Sequence, residues 1–352
     1  MFGLDWIDLT LLLAKIIFVI GVNFLILMIM ELAERRVSAF LQDRYGPNRV
    51  GPEGLLQPIA DGIKFLFKED IIPGHVDKAL YILAPALVLV PALMTFAVIP
   101  FGKSLVAWGR EIPLQIADLN VGLLYIFALV SLAVYGSVLG GWAANSKYPL
   151  LGGLRACSQM ISYELSLGLS IIGVLMLVGS LRLNEVVAYQ TGTLFGFLPR
   201  WNLFTQPLGF LLFLIASFAE TNRLPFDFPE TEPELVGGYH TEYSSMKFAM
   251  FFMGEYIMLI TSSAVLATLF LGGWDVPWVD EARLGLWGTV LSMAAFSLKT
   301  GFFLFLYLWV RWTLPRFRFD QLMNLGWKVM LPLAIGNILT TGLYMALRQQ
   351  PF

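Results

Sequence analysis

The chain has 352 residues, of which 57% are hydrophobic and 14% charged, with a formal net charge of −2. A mean hydropathy of +0.72 excludes a water-soluble fold, which could not hide that much apolar surface. One cysteine, Cys157, and two histidines, His75 and His240, exclude an intrachain disulfide and any cysteine-built zinc or iron–sulfur centre, and no basic footprint supports nucleic-acid binding.

A hydrocarbon layer about 30 Å thick takes about 20 apolar residues to cross as a helix. Eight such runs occur in order: Leu9 to Met30, Ala79 to Ile99, Val121 to Ala144, Ile161 to Val178, Leu203 to Ala219, Phe248 to Leu271, Leu284 to Val310 and Val329 to Leu347. The first is too long for a signal peptide and lacks its small-residue cleavage pattern. The expected fold is an all-α integral membrane protein, one membrane domain over 1–352 with a bundle of about eight transmembrane helices. Odd-numbered connections hold fifteen Lys and Arg residues, against six in the even-numbered ones and the C-terminal tail. The positive-inside rule then puts the odd connections in the cytoplasm and both termini outward.

The first connection, 31–78, is expected to carry an amphipathic helix. Leu56, Ile59, Ala60, Ile63, Leu66 and Phe67 share one face at helical spacing, and Asp61, Lys64 and Lys68 take the other. Such a helix lies in the membrane interface or packs on the bundle. Gly46, Pro47, Gly51 and Pro52 make the preceding stretch irregular, with Arg44 and Arg49 on it.

Ionisable groups then recur where they are costly. Glu31, Glu34, Arg35 and Arg36 close the first span, Glu164 lies in the fourth, Glu220 ends the fifth, Glu255 lies in the sixth and Lys299 in the seventh. Each costs roughly 2.5–3.5 kcal/mol at membrane depth on insertion scales, so each needs a polar interior or a partner. The fifth connection, within 220–247, holds six acids and one base, Arg223, from Glu220 to Tyr243. Pro225, Pro229 and Pro233 are expected to keep it extended, with Glu230, Glu232 and Glu234 on one side, so that the crowded carboxylates titrate as a coupled unit. Leu224, Phe226, Phe228, Leu235 and Tyr239, interleaved with the acids, argue against a merely solvated loop.

Long motifs carry a family resemblance. ERR followed by RYGPNRVGPEGLLQPIADGIKFLFKED (Glu34 to Asp70), GWAANSKYPLLGGLRACSQMISYE (Gly141 to Glu164), the acidic loop running into EYSSMKFAMFFMGEY, and RWTLPRFRFDQLMNLGWK (Arg311 to Lys328) stand in order over nearly the whole chain. They resemble the membrane subunit of proton-pumping NADH:quinone oxidoreductase, respiratory complex I, that builds most of the quinone chamber. The resemblance implies no catalytic residue within this chain alone and no metal. It implies a quinone substrate bound at the interface with partner subunits, and FMN and iron–sulfur clusters only in other subunits. It implies as partners the peripheral-arm subunits with the terminal iron–sulfur cluster, antiporter-like and small membrane subunits, and the lipid bilayer. By matching motif, Glu34, Arg35, Arg44 and Asp61 would line the quinone site from the first loop, and Arg223, Asp227, Glu230, Glu232, Glu234, Tyr239, Glu242 and Tyr243 from the acidic loop. Tyr163, Glu164, Glu220, Glu255 and Lys299 would form a proton path. One departure is Ser131, where some family members carry a glutamate. The setting implied is a bacterial inner membrane, with an organelle inner membrane as the alternative.

Two other classes share features. A secondary transporter also has intramembrane acids and broken segments, but no internal repeat pairs the two halves here. The anchoring subunit of a membrane-bound hydrogenase is a similar eight-helix protein; GGYHTEYSSMKF, Gly237 to Phe248, favours the quinone enzyme.

Overall fold

Apolar runs in lipid become helices because only a helix or closed barrel pairs every backbone N–H and C=O there. A computed structural model of the chain describes residues 6–107, 110–194, 196–229, 232–279 and 284–347. The helices in order are α1 (Trp6–Leu41), α2 (Gln57–Phe67), α3 (Lys78–Thr95), α4 (Gly122–Ala143), α5 (Lys147–Val178), α6 (Leu183–Gln190), α7 (Asn202–Thr205), α8 (Pro207–Glu220), α9 (Glu232–Leu235), α10 (Ser245–Phe270), α11 (Leu286–Thr313), α12 (Phe319–Asn324) and α13 (Leu331–Leu347). Two minimal antiparallel hairpins, β1 (Leu105–Ala107) with β2 (Arg110–Ile112) and β3 (Thr193–Leu194) with β4 (Leu198–Pro199), are the strands among the described residues. Among the described residues seven helices are long and apolar enough to cross a membrane; α12, a π-helical stretch over Leu325–Met330 and α13 run together as the last. The protein is therefore an all-α, multi-pass membrane protein.

The fifth expected crossing differs. Helix α8 has only 14 residues, about 21 Å at helical rise, and the single turn α7 precedes it. Gln206 breaks the two apart with a non-helical backbone, and Pro207 starts α8 at a position where its missing N–H costs nothing. The side chain of Gln206 donates to Thr341 at 3.0 Å and accepts from Asn337 at 3.0 Å, so the broken backbone sits beside a satisfied polar pair from α13.

Helix α10 is the axis of the bundle, packed by α1, α2, α3, α8 and α11, and far more of it is buried than of the peripheral α1. On the other flank α5 packs against α4, α8 and α13. Gly152 lets the turn at 238–240 rest directly on α5, since a Cβ there would stand 2.6 Å from the Tyr239 backbone nitrogen.

The amphipathic helix forms as α2, and of its polar face Asp61 turns inward while Lys64 and Lys68 stay exposed. Asp61 is buried against α1 while Ile63, Leu66 and Phe67 stay exposed. The Ser245 hydroxyl, bonded to the carbonyls of Phe65 and Lys68 at 3.0 and 2.9 Å, ties the end of α2 to the start of α10. In the acidic loop the expectation of extended chain through the prolines is corrected: 232–235 close into one helical turn, α9, because Pro233 falls in its first turn, where proline is tolerated.

Candidate functional site

Helices α1, α8, α10 and α11 converge on a charge cluster. Glu34 lies two turns before the end of α1, and its carboxylate meets the Arg223 guanidinium at 3.1 Å. Nε of Arg223 lies 2.9 Å from Oε1 of Glu255 on α10, and Arg311, in the last turn of α11, also pairs with Glu34. Tyr256 donates its hydroxyl to Glu34 at 2.6 Å while its ring lies 4.4 Å from the Arg223 guanidinium carbon. Glu34, Arg223 and Glu255 are all buried. Two acids against two arginines make the group electrically neutral, which is what allows four charges to persist in a nearly dry setting. Burial works against the charge on Arg223, but Glu255 and Glu34 outweigh it and hold the guanidinium firmly protonated.

The loop that delivers Arg223 is pinned from below. Gln159 on α5, fully buried, directs its amide nitrogen at the carbonyls of Ala219 and Phe226, both at 2.7 Å, and at Asn222. Asn222 takes a positive φ of 50°, a conformation asparagine tolerates better than most residues, and this turns the chain so that Arg223 points back into the bundle.

Beside this cluster Arg35 bridges Glu31 and Asp61, each at 2.7 Å, and Lys64 adds a third contact to Asp61 at 3.0 Å. Burial pushes the Asp61 carboxyl up, but hydrogen bonds from Lys64 and Gln57 and the charge of Arg35 hold it below the usual range. Deeper in, Glu220 lines a cavity of about 10 Å³ together with Asn222, Tyr239 and Glu255, about the smallest space that accepts one water. Glu164 acts on Glu220 as a like charge, and Ser131 donates its hydroxyl to the Glu164 carboxylate.

Several expected site residues stand elsewhere. Asp227 pairs with Arg316 at 2.8 Å and Glu234 with Arg155. The acids are thus shared out to bases from other segments, and the expected single carboxylate cluster does not form among the described residues. Glu230 and the side chain of Glu232 lie outside those residues. Arg44 is exposed and bonded to Gln42, and Glu242 is half-buried with its carbonyl accepting from Tyr81 at 2.6 Å. Tyr243 stacks on Tyr81 at 4.1 Å in a small separate core, and Tyr163 donates to the Leu322 carbonyl at 2.8 Å, fastening α5 to α12 instead of meeting an acid. Lys299 donates to the carbonyls of Gly273 and Asp275 at 2.9 and 2.6 Å, about 18 Å along α11 from Arg311, and so holds the loop after α10. Sequence reasoning passed over Arg311, Tyr256 and Gln159 as site residues, although all three stand inside the family motifs. The signal for Arg311 was a lone cation closing an apolar run at the same end as Glu34.

A family model described as NADH dehydrogenase matches residues 14–342. The chain belongs to that family. Among its relatives, the first of the H subunits of NADH-quinone oxidoreductase from Geobacter metallireducens is 54% identical over 342 residues, covering 97% of this chain and 98% of that one. Its counterpart from Cytophaga hutchinsonii is 53% identical over 325 residues, 92% and 93% of the two chains. The corresponding protein of Thermomicrobium roseum is 55% identical over 313 residues, 88% and 89%. For this member of the NADH dehydrogenase family the buried Glu34–Arg223–Glu255 group lies wholly within the matched span, as do Arg311 and Tyr256.

Proposed function

We propose that the chain is the membrane subunit of a proton-pumping NADH:quinone oxidoreductase, forms most of the quinone chamber and couples quinone reduction to proton movement. The observation that carries this is the neutral group of buried Glu34, Arg223 and Glu255 with half-buried Arg311, reached from the charged α2 face through Arg35 and Asp61. Two-electron reduction of quinone creates negative charge and a demand for two protons. A cluster whose four charges cancel responds by exchanging partners: when Arg35 or Arg223 turns towards the reduced headgroup, a glutamate loses its counter-ion and gains affinity for a proton. Glu255, Glu220 and Glu164, linked by the small cavity and by like-charge contact, then offer a route towards antiporter-like neighbours.

Electrons would arrive from an iron–sulfur cluster in a peripheral-arm subunit, with FMN further away, since this chain offers no cysteine set for a cluster. The charged connections would face the cytoplasm and both termini the outside of a bacterial inner membrane. The exposed apolar face of α2 suits the membrane interface there. Segments 31–78 and 220–247 would then be the two cytoplasmic loops that frame the chamber with partner subunits.

The test replaces Glu220 by Gln in the assembled enzyme and assays inhibitor-sensitive NADH:quinone reduction beside NADH reduction of an artificial acceptor that bypasses the quinone site. Loss of the first with the second retained is expected; retention of both removes Glu220 from the coupling path.

A further inference from the structure

A large cavity lies away from the charges. It has a volume of about 560 Å³, in the range of ligand pockets, and lies between α1, α10 and α11. Its walls are almost wholly apolar and partly aromatic, including Phe18, Phe96, Phe101, Phe296 and Phe305. Phe18, Ile29 and Phe305 at its rim are about half exposed, so it is reached from the lipid side.

Two polar side chains that line it are left over. Asn23 is 2% and Thr300 6% exposed, and neither the Asn23 carbonyl oxygen nor the Thr300 hydroxyl has a hydrogen-bond partner among the described residues. The Asn23 amide cannot simply be turned round, because its nitrogen already donates to the Val19 carbonyl at 2.8 Å. The orphan on α1 is therefore an acceptor that wants a donor. Asn23 precedes Glu34 by 11 residues and Thr300 precedes Arg311 by 11, on helices whose charged ends are joined through the Glu34–Arg311 pair. Both thus lie about 17 Å below that pair, at one depth near the centre of each helix and close to the middle of a layer about 30 Å thick. A buried polar group without a partner costs roughly 1–3 kcal/mol, so two facing the same apolar space mark a ligand with a polar centre.

We infer that this cavity is a second, membrane-depth site that takes the hydroquinone form of an isoprenoid quinone. A ring hydroxyl donates to Asn23, ring oxygen accepts from Thr300, and the aromatic walls and lipid-facing rim receive ring and tail. The oxidised quinone carries acceptors only and leaves Asn23 unsatisfied, so the site favours the reduced product over the substrate. Phospholipid chains offer no donor at this depth. The inference rests on the quinone reading proposed above and adds a holding place for product leaving the chamber.

The probe is a decyl hydroquinone bearing a diazirine, compared with its oxidised form, photolysed on the assembled enzyme in membranes and mapped by peptide mass spectrometry. The reduced probe is expected to label peptides of α1 and α11 around Asn23 and Thr300, and the oxidised probe roughly threefold to tenfold less, the value of one hydrogen bond. Asn23→Leu should erase that difference, and Thr300→Val, which keeps shape, should weaken labelling by both forms. Equal labelling by both forms in the unmodified enzyme, or a difference untouched by Asn23→Leu, overturns the inference in favour of a bound water or a nonspecific lipid. Label confined to the loops carrying Glu34 and Arg223 overturns it while leaving the quinone reading intact. Label nowhere on this chain, in enzyme that still reduces an artificial acceptor, overturns both.

Discussion

Arg223 and Glu34, 189 residues apart, meet at 3.1 Å with side chains only 5% and 10% exposed. Two charges removed from water to that extent persist because each has more than one partner: Glu255 and the Tyr256 ring for the arginine, Arg311 and the Tyr256 hydroxyl for the glutamate. The arrangement is one of balance, and balance makes its failure modes specific.

Removing Arg223 alone takes the arginine from Glu255 and leaves Glu34 to Arg311 and the Tyr256 hydroxyl. Arg223→Met is expected to destabilise the protein by roughly 3–5 kcal/mol, seen as reduced assembly and a lower melting temperature of the detergent-purified complex. The double variant Arg223→Met with Glu255→Gln should recover much of that stability without recovering quinone reduction. A double variant no more stable than the single one would show that charge balance is not what holds the cluster.

Tyr256 separates ring from hydroxyl. Tyr256→Phe keeps the surface under Arg223 and removes the hydrogen bond to Glu34, costing about 1.5–3 kcal/mol, the usual range for a bond to a charged group. Tyr256→Leu should cost more by the lost cation–π contact, about 2 kcal/mol when desolvated. Thermal unfolding of the two variants side by side gives the comparison, and equal losses would refute a role for the ring.

Ser131 holds Glu164 by its hydroxyl, so Ser131→Ala should loosen that carboxylate without removing it. Quinone reduction is expected to persist, with protons moved per NADH, followed by a pH-sensitive dye in vesicles, reduced less than by Glu164→Gln. Intact pumping in Glu164→Gln would take both residues off the proton path.

His240 sits outside the spans against the rings of Phe248 and Phe252, and burial lowers its pKa to about 4. In the unfolded chain it titrates near 6.5, so its protonation favours unfolding. Its neutral form is accommodated fully above that pH, and stability falls as pH drops from about 6.5 towards 4, by up to roughly 3 kcal/mol. The protection of the 237–244 amides, taken relative to their intrinsic exchange rate at each pH, should fall over that interval and stay flat in His240→Gln; an unchanged profile in the variant would assign the acid sensitivity to other groups.

Much of the architecture was legible in the linear chain. Hydropathy is summed over consecutive residues, so seven of the eight expected crossings, the amphipathic α2 and the charged first connection could be read directly from Leu9 onwards. The fifth crossing was read as a span of ordinary length because the break at Gln206 depends on Asn337 and Thr341, more than 130 residues away. The same limit governed the site: Glu34, Arg223 and Glu255 stood out singly as charges at membrane depth, but their meeting did not.

By itself the sequence determined that this chain lives in a membrane, which residues are costly there, and which family its motifs belong to, since composition, periodicity and motif order are properties of the linear chain. Only the tertiary structure decided which acid faces which base. It gave Glu34 to Arg223 and Arg311, Asp227 to Arg316 and Glu234 to Arg155, and sent Lys299 to loop carbonyls some three turns from Arg311. The reason is physical: a buried charge is stabilised by whatever opposite charge packing brings within a few ångströms, and packing joins residues without regard to their distance along the chain.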